Sequence, residues 1–327
     1  MLNVNILNKL MNKERLSYIF KNRLFTKDAF HWYVNFLFRI LRKHGVVDDK
    51  TFLKNQYRCQ MGEKLDLKNP KSFNQKLQWL KLYDRQEKYS KMTDKSTAKE
   101  YVRAILGNDC IIPTYGVYDS VDSIDFSALP EKFVIKATHG SGNHDVIICR
   151  DKSKLDVGFV KQKMKKSLSN NCYLATAEWV YKYINPRIIV EKLLEDPDYD
   201  DLMDYKFMCF NGKVKCSFVC TGRESAEGLK VTFYDRDWNI MPFERNHPSE
   251  KKPIEKPIRY DQMIEMAEKL SKGVSFLRVD FYEVEKKVYF GELTFYPGSG
   301  FESFQPKEWD DILGSWIELP KEKHYAK

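Results

Sequence analysis

Several features that mark common protein classes are missing from this 327-residue sequence. No run of about 18 uncharged apolar residues occurs, which argues against a membrane-spanning helix. The N-terminus lacks the apolar segment and the small-residue cleavage site of a secretory signal. The seven cysteines are scattered without a C-x-x-C pair, so neither a zinc site nor a disulfide framework is expected. We therefore expect a cytoplasmic protein whose cysteines stay reduced and pack as small apolar groups.

Charge is unevenly distributed along the chain. The net charge is +9, and residues 1–50 contain ten Lys and Arg but only four Asp and Glu. Next to the aromatic run at 30–38, this basic surplus could hold the region against an anionic membrane face or an acidic polymer. Alternatively, the spacing of Phe30, Val34, Leu37 and Leu41 predicts one apolar stripe of a packed helix. The surplus is modest and no recognition module occurs, so nucleic-acid binding is not expected.

The chain divides into three regions of different texture. Residues 1–85 are predicted to be a helical accessory region, in which Ser72 can cap a helix over 73–80. Residues 86–185 contain a helix beginning near 93–95, strands at 133–137 and 145–149, and a helical segment around 161–183. Residues 186–327 contain a helix at 261–270 and strands at 188–190, 206–210, 214–220, 231–234, 277–284 and 288–295. The pair Asn211-Gly212 predicts a tight hairpin, and helices mixed with antiparallel strands predict an α+β fold.

The last predicted hairpin places two carboxylates side by side. With a three-residue loop at 285–287, Val284 faces Val288, and counting outward puts Asp280 opposite Glu292. Opposed like charges destabilise a strand pair by roughly 0.2–1 kcal/mol, so a cation is expected between them. Mg²⁺ shared with substrate phosphates is the commonest such cation. The alternative is a solvent-exposed face on which lysines of the loop and an arginine of the strand neutralise both acids.

Further polar residues fall on the same face of this hairpin or follow it directly. The same count puts Arg278 opposite Thr294, and the two-residue period of a strand places both beside the carboxylates. The segment 296–301 comes next, and its glycines allow the backbone to pass close to a ligand.

A second group of candidate residues surrounds Lys136, at the end of an apolar strand. Burying an ammonium group there is costly unless an anion meets it. The loop that follows contains His139, Gly140, Ser141, Gly142 and Asn143, and its backbone N–H groups can bind phosphate oxygens. It is neither a G-x-x-x-x-G-K-[ST] loop nor a complete G-x-G-x-x-G. A hairpin turn with an exposed lysine is therefore the alternative interpretation.

The third group is a short apolar strand that ends in Glu191, Lys192, Leu193 and Leu194. A purine needs an apolar slot with backbone hydrogen bonds beside it, and the edge where such a strand passes into a loop provides both.

The order of these segments, over about residues 93–301, resembles that of the ATP-grasp carboxylate–amine ligases. The resemblance implies that ATP lies between two α+β lobes, with a helical N-terminal extension outside them. It further implies that Lys95 and Lys136 contact the phosphates, that the loop 139–143 is a lid, and that residues 190–194 hold the adenine. Asp280 and Glu292 would then be the magnesium ligands.

The segments 69–80, 204–207 and 292–300 resemble more narrowly the TupA-like branch, named for teichuronopeptide synthesis. This likeness implies a bacterial enzyme that joins an amino acid to a uronic acid of a capsule or another surface polysaccharide. Thr294 stands where the general fold usually has Asn, so it is expected to be a weak magnesium ligand at most.

The implied reaction is carbon–nitrogen ligation. ATP phosphorylates a carboxylate, an amine attacks the acyl phosphate, and an amide forms with release of ADP and phosphate. Arg278 and Lys136 are expected to be catalytic, and Lys206, Arg223 and Arg278 to bind the substrate. A glycosyltransferase and a noncatalytic polysaccharide-binding protein remain as alternatives. The basic N-terminal region is expected to contact the inner membrane face or the glycan assembly machinery, and a noncatalytic protein would use it for binding.

Overall fold

The computed structural model describes residues 34, 37–140, 145–196, 202–222 and 228–325. The chain forms two compact units, residues 1–65 and 66–327. In the first unit, residues 37–43 are helical and are followed by helix α1 (Asp49–Met61). The carboxylate of Asp48 accepts a hydrogen bond from the backbone N–H of Thr51 at the start of α1, and Gly62 ends the helix with φ 73°. Of the predicted apolar stripe, Val34, Leu37 and Leu41 are helical and half-buried, whereas Phe30 lies outside the described residues.

The second unit contains the remaining regular elements. Its helices are α2 (Phe73–Tyr83), α3 (Glu87–Thr93), α4 (Thr97–Leu106), α5 (Val157–Leu168), α6 (Cys172–Thr176), α7 (Tyr260–Leu270) and α8 (Glu308–Ser315). Its strands are β1 (Thr114–Tyr118), β2 (Phe133–Ala137), β3 (Val146–Cys149), β4 (Ile188–Lys192), β5 (Asp204–Phe210), β6 (Lys213–Thr221), β7 (Lys230–Tyr234), β8 (Glu244–Arg245), β9 (Phe276–Val284), β10 (Lys287–Thr294) and β11 (Phe304–Gln305). None of the helices in the described ranges is both long and apolar enough to cross a bilayer.

Helix α2 begins where the sequence predicts, with the Ser72 hydroxyl accepting from the N–H of Gln75 at 3.3 Å. Its apolar residues are buried, and the ring of Phe73 packs edge-on against Phe276, with 5.0 Å between ring centroids. A second stripe of α2, one turn apart at each step, is polar and completely buried: Asn74, Gln78 and Lys81. Helix α2 packs into the unit 66–327.

The smaller sheet has the strand order β1-β4-β2-β3, and its neighbouring strands are antiparallel. On one face, Phe133, Ile135 and Val190 pack against Val160 and Met164 of α5. The residues between them in β2 and β4 point to the other face. β4 pairs with β2, so this sheet extends past the lobe boundary expected at 185/186. Strand β1 was not predicted, because its sequence, TYGVY, contains a glycine and few aliphatic residues.

The larger sheet has the order β10-β9-β5-β6-β7. The predicted hairpin between β5 and β6 is confirmed: Phe210 pairs with Lys213, and Asn211 and Gly212 have φ values of 51° and 78°. The face of β5 that includes Phe207 packs on α7, where the rings of Phe207 and Tyr260 lie 5.4 Å apart. The even-numbered residues of β5 and β9 therefore point to the opposite face.

The β9–β10 hairpin confirms one part of the predicted register and corrects another. Asp280 pairs with Glu292, as predicted, but Val284 pairs with Lys287 and not with Val288. The loop has two residues, Glu285 and Lys286, both at positive φ as in a type I′ turn. An irregularity between Phe290 and Glu292 leaves Gly291 without a partner and restores the predicted pairing. Arg278 likewise pairs with Thr294, as predicted.

Candidate functional site

The even-numbered face of the hairpin carries a bidentate ion pair. Arg278 donates from Nε and Nη2 to the two carboxylate oxygens of Asp280, each at 2.7 Å, and Nη2 lies 3.6 Å from Glu292. Asp280 is only 2% exposed, whereas the side chain of Glu292 is 30% exposed, so the predicted alternative of a solvent-exposed face does not hold for Asp280. Burial alone would raise the pKa of Asp280, but the charges of Arg278 and Lys206 outweigh it and hold this pKa below its usual value.

Strand β5 adds a lysine to this face. Lys206 pairs directly with Asp280 across the two strands, and its Nζ lies 2.5 Å from a carboxylate oxygen of Asp280 and 2.5 Å from one of Asp204. Lys206, predicted to bind substrate, is thus placed against the predicted metal ligand. Asp204 and Lys206 share this face because they are two residues apart on one strand.

Lys95 connects the hairpin with the loop after β2. It lies between α3 and α4, where the Asp94 carboxylate accepts from the N–H groups of Ser96 and Thr97 at 2.9 Å and so caps α4. Lys95 Nζ donates to the Gly140 carbonyl at 2.5 Å and to Glu292 at 3.3 Å. One ammonium group therefore contacts both Gly140, predicted to bind phosphate, and Glu292, predicted to bind magnesium. The charges of Lys95 and Arg278 hold the pKa of Glu292 below its usual value, although burial opposes them.

Lys136 lies on the same face of the smaller sheet as Glu191. Its Nζ lies 2.9 Å from a carboxylate oxygen of Glu191 on the neighbouring strand β4. Glu191 is also bound by Lys99 of α4, so a buried carboxylate lies between two lysines. The predicted alternative of an exposed lysine in a hairpin turn is therefore wrong.

The segment after Glu191 forms an apolar edge. Leu194 is buried with Ile112 and Val284, and Tyr282 packs against them. The backbone N–H of Lys192 donates to the Pro113 carbonyl at 2.9 Å, and its side chain is exposed. Leu193 is half-buried, and the binding of adenine by residues 191–194 stays a prediction.

The loop after β2 is described only at its base. His139 is 4% exposed, and burial lowers its pKa. A Cβ added to Gly140 would lie 2.7 Å from the side chain of Asp145, so only glycine fits this close approach. Ser141, Gly142 and Asn143 lie outside the described residues, as does Arg223.

The residues on the hairpin face fit a magnesium ion. Asp280 and Glu292 offer oxygen ligands from paired positions, and the buried Thr294 hydroxyl has no hydrogen-bond partner among the described residues. Among all the residues that the structure describes, no group of three or more His, Cys, Asp or Glu side chains is placed to hold a metal ion. Mg²⁺ is commonly held by one or two carboxylates together with phosphate oxygens, and this face provides that number.

The turn after β10 is held by buried polar groups that the sequence analysis did not single out. Gly298, Ser299 and Gly300 have φ values of 52°, 57° and 65°. Lys81 donates to the carbonyl and the hydroxyl of Ser299 at 2.8 and 2.9 Å, and this hydroxyl donates to Glu178 at 2.7 Å. The amide of Gln78 donates to the Gly300 carbonyl at 2.7 Å. The sequence contained one indication of these contacts: polar residues recur at helical spacing within the otherwise apolar pattern of α2.

Arg245 is a second functional candidate that sequence reasoning missed. Its guanidinium lies 4.2 Å from the centre of the Phe218 ring, and the guanidinium of Arg278 lies 6.0 Å from the same centre. Arg245 is 7% exposed and lies 3.2 Å from Glu302. A separate cleft of about 510 Å³, lined by Arg259 and Lys286 among others, contains none of the predicted site residues.

Comparisons with solved structures return several proteins of low sequence identity. The D-alanine–D-alanine ligase of Bacillus anthracis complexed with ATP is 14% identical, with a TM-score of 0.35, over 62% of this chain and 52% of that one. The ADP complex of purK, N5-carboxyaminoimidazole ribonucleotide synthetase, is 15% identical, with a TM-score of 0.39, over 63% and 45%. A RimK domain ATP-grasp protein of Sphaerobacter thermophilus is 10% identical, with a TM-score of 0.39, over 72% and 70%. The chain spans about half the length of the first two.

A search of curated proteins found no match. The family model for TupA-like ATP-grasp proteins, in contrast, matches residues 75–318, which is most of the chain. This match confirms the ATP-grasp fold predicted from the sequence, and with it ATP and Mg²⁺ as the cofactors that ATP-grasp proteins use. The chain belongs to the TupA-like ATP-grasp family.

Proposed function

We propose that this protein is an ATP-dependent carboxylate–amine ligase that forms an amide through an acyl phosphate. The observation that carries the proposal is the position of Lys95. Its ammonium contacts both the Gly140 carbonyl, at the base of the glycine loop, and Glu292, on the hairpin. A phosphate chain next to this lysine would have the glycine loop on one side and the paired carboxylates on the other. Phosphoryl transfer depends on such positioning and on charge neutralisation.

The charges of the cluster are suited to a polyphosphate with a divalent ion. Lys95, Lys206 and Arg278 face Asp204, Asp280 and Glu292, so three cations balance three carboxylates. Asp280 and Glu292 would hold Mg²⁺, and Lys95 and Arg278, no longer paired with them, would be available to phosphate oxygens. The ion would neutralise charge on the transferring phosphoryl group and orient it.

Arg278 and Lys136 have distinct roles in this scheme. Arg278 is paired with both oxygens of Asp280 in the structure. When Asp280 turns to the metal ion, the released guanidinium would stabilise the negative charge of the acyl phosphate and of the tetrahedral intermediate. Lys136 would bind a phosphate oxygen of ATP from the smaller sheet. The γ-phosphoryl group moves to a carboxylate oxygen with loss of ADP. The amine nitrogen then attacks the carbonyl carbon, loses a proton, and displaces phosphate.

We propose a uronic acid of a bacterial surface polysaccharide as the carboxylate substrate and an amino acid as the amine. The resemblance to the TupA-like branch, which is named for teichuronopeptide synthesis, supports a role in surface polymer synthesis. Lys206 and Arg245 are suited to bind a second anionic group, because both lie on the Arg278 side of the larger sheet. We further propose that Arg223 binds the substrate. The basic N-terminal region would contact the inner membrane face or the glycan assembly machinery.

The test is a phosphate-release screen of amino acids against uronic acids, with ATP and Mg²⁺. For the active pair, Asp280→Asn and Glu292→Gln should lower ADP formation by at least 100-fold. Glu285→Gln, an exposed carboxylate of the same hairpin, is the matched control and should retain activity. Full activity in either of the first two variants would contradict the proposal. Preference for a sugar nucleotide over ATP in a thermal-shift panel would favour a glycosyltransferase instead.

A further inference from the structure

Glu191 is the most enclosed charged residue of the smaller sheet, and it has two cationic partners. One of its carboxylate oxygens contacts Lys99, and the other lies 2.9 Å from Lys136. The side chain of Glu191 is 5% exposed. Burial alone would raise the pKa of Glu191, but the charges of Lys136 and Lys99 outweigh it, so the carboxylate is ionised.

The two lysines differ in what else they contact. Lys99 is 8% exposed, and its Nζ also donates to the Ile112 carbonyl and to the Thr114 hydroxyl, each at 2.7 Å. These three partners, Glu191, Ile112 and Thr114, hold the Lys99 ammonium in place. Lys136 is 21% exposed, and Glu191 is the one partner that its Nζ contacts among the described residues. Lys136 is therefore the lysine that can turn towards a ligand.

Moving Lys136 to a ligand has an electrostatic cost. A buried carboxylate that loses its only cation is left as an uncompensated charge, which is strongly unfavourable in a protein interior. If Glu191 depended on Lys136 alone, a phosphate would have to compete with Glu191 for that ammonium. Because Lys99 stays in place, Glu191 keeps a counter-ion when Lys136 leaves.

We propose that Lys99 is a positioning residue that neutralises Glu191 and so releases Lys136 to bind the phosphate groups of the nucleotide. The inference rests on the proposed function in one respect, namely that Lys136 is a phosphate ligand. It assigns to Lys99 an effect on phosphate affinity without any contact between Lys99 and the phosphate.

The test compares a nucleotide with its phosphate-free nucleoside. The dissociation constants of ADP with Mg²⁺ and of adenosine are measured by calorimetry, and their ratio isolates the contribution of the phosphates. Lys99→Met should weaken ADP binding at least tenfold and change adenosine binding less than twofold. Lys99→Arg keeps the charge and should retain the wild-type ratio. Arg103→Met, on the exposed side of the same helix, is the matched control.

A double variant tests the electrostatic route. In Glu191→Gln the competing carboxylate is neutral, so adding Lys99→Met to it should leave the ADP-to-adenosine ratio unchanged. This comparison also replaces the single variant if Lys99→Met alone does not fold. An equal loss of ADP and adenosine affinity in Lys99→Met, or the same loss of ratio in both backgrounds, would show that Lys99 is merely structural. If the wild-type protein binds ADP no more tightly than adenosine, Lys136 is not a phosphate ligand, and the proposed function is overturned with it.

Discussion

Replacing Lys81 with methionine should lower the free energy of unfolding of the 66–327 unit by about 3 kcal/mol at pH 8. The ammonium is completely buried and donates to the Thr176 carbonyl and to both oxygens of Ser299. Removing one member of a buried charge pair costs about 3–5 kcal/mol. We take the lower end because the Ser299 hydroxyl lies between Lys81 and Glu178.

The loss should depend on pH through Glu178. Burial raises the pKa of Glu178 above 4.5, and the charge of Lys81 partly offsets the rise. Without Lys81 this pKa rises further in the folded protein. An acid whose pKa is higher in the folded state than in the unfolded state destabilises the fold as the pH increases between the two values. Below pH 4.5 the group is protonated in both states, so the effect of Lys81→Met should be smaller at pH 5 than at pH 8.

Thermal unfolding followed by tryptophan fluorescence measures this loss. For a unit of this size, about 3 kcal/mol corresponds to a decrease of roughly 6–12 °C in Tm. Lys76→Met is the matched control on the same helix, because Lys76 donates one hydrogen bond, to the Ile317 carbonyl at 2.7 Å, and should cost about 1 kcal/mol. Equal losses for the two variants at pH 8, or a Lys81→Met loss that is the same at both pH values, would refute the reasoning. Adding Glu178→Gln should remove the pH dependence.

Two further predictions concern residues at positive φ. Gly300→Ala should destabilise the unit by about 2 kcal/mol or more, because the added Cβ would lie 2.5 Å from the Gln78 amide nitrogen. Gly273→Ala, at a similar φ but in open space, should cost only about 1 kcal/mol of backbone strain. Similar Tm values for the two variants would contradict this prediction. Lys286→Gly should stabilise the hairpin by about 0.5–1 kcal/mol, because lysine at φ 61° is strained in a two-residue turn, and ADP affinity should not change. An unchanged or lower Tm for this variant would show that the turn is not strained.

The pairing of Asp280 with Glu292 was predictable, although the count behind it contained two errors. The loop is one residue shorter than predicted, and Gly291 is left out of the pairing, so the two shifts cancel. Strand periodicity identifies which residues share a face, but it does not distinguish a three-residue loop from a two-residue loop with a bulge. The positions of Ser72, Asn211 and Gly212 were predictable because their local chemistry determines a cap or a turn.

The ion pairs were not predictable in the same way. Lys206 lies against Asp280 because β5 and β9 are neighbours in the sheet, although they are separated by three other strands in the sequence. Lys99 reaches Glu191 across 92 positions of sequence, from helix α4 to strand β4. Such contacts depend on topology, which hydrophobic periodicity does not determine.

The buried stripe of α2 sets a lower limit on how far the chain can be shortened. A fragment that begins at residue 86 would contain every predicted ligand of ATP and Mg²⁺, yet it would lack Asn74, Gln78 and Lys81. The turn at 298–300 would then lose its amide and ammonium donors, directly after the strand that carries Glu292. Truncation and domain-exchange experiments on this protein should therefore treat helix α2 as part of the 66–327 unit and place their junctions before Ser72.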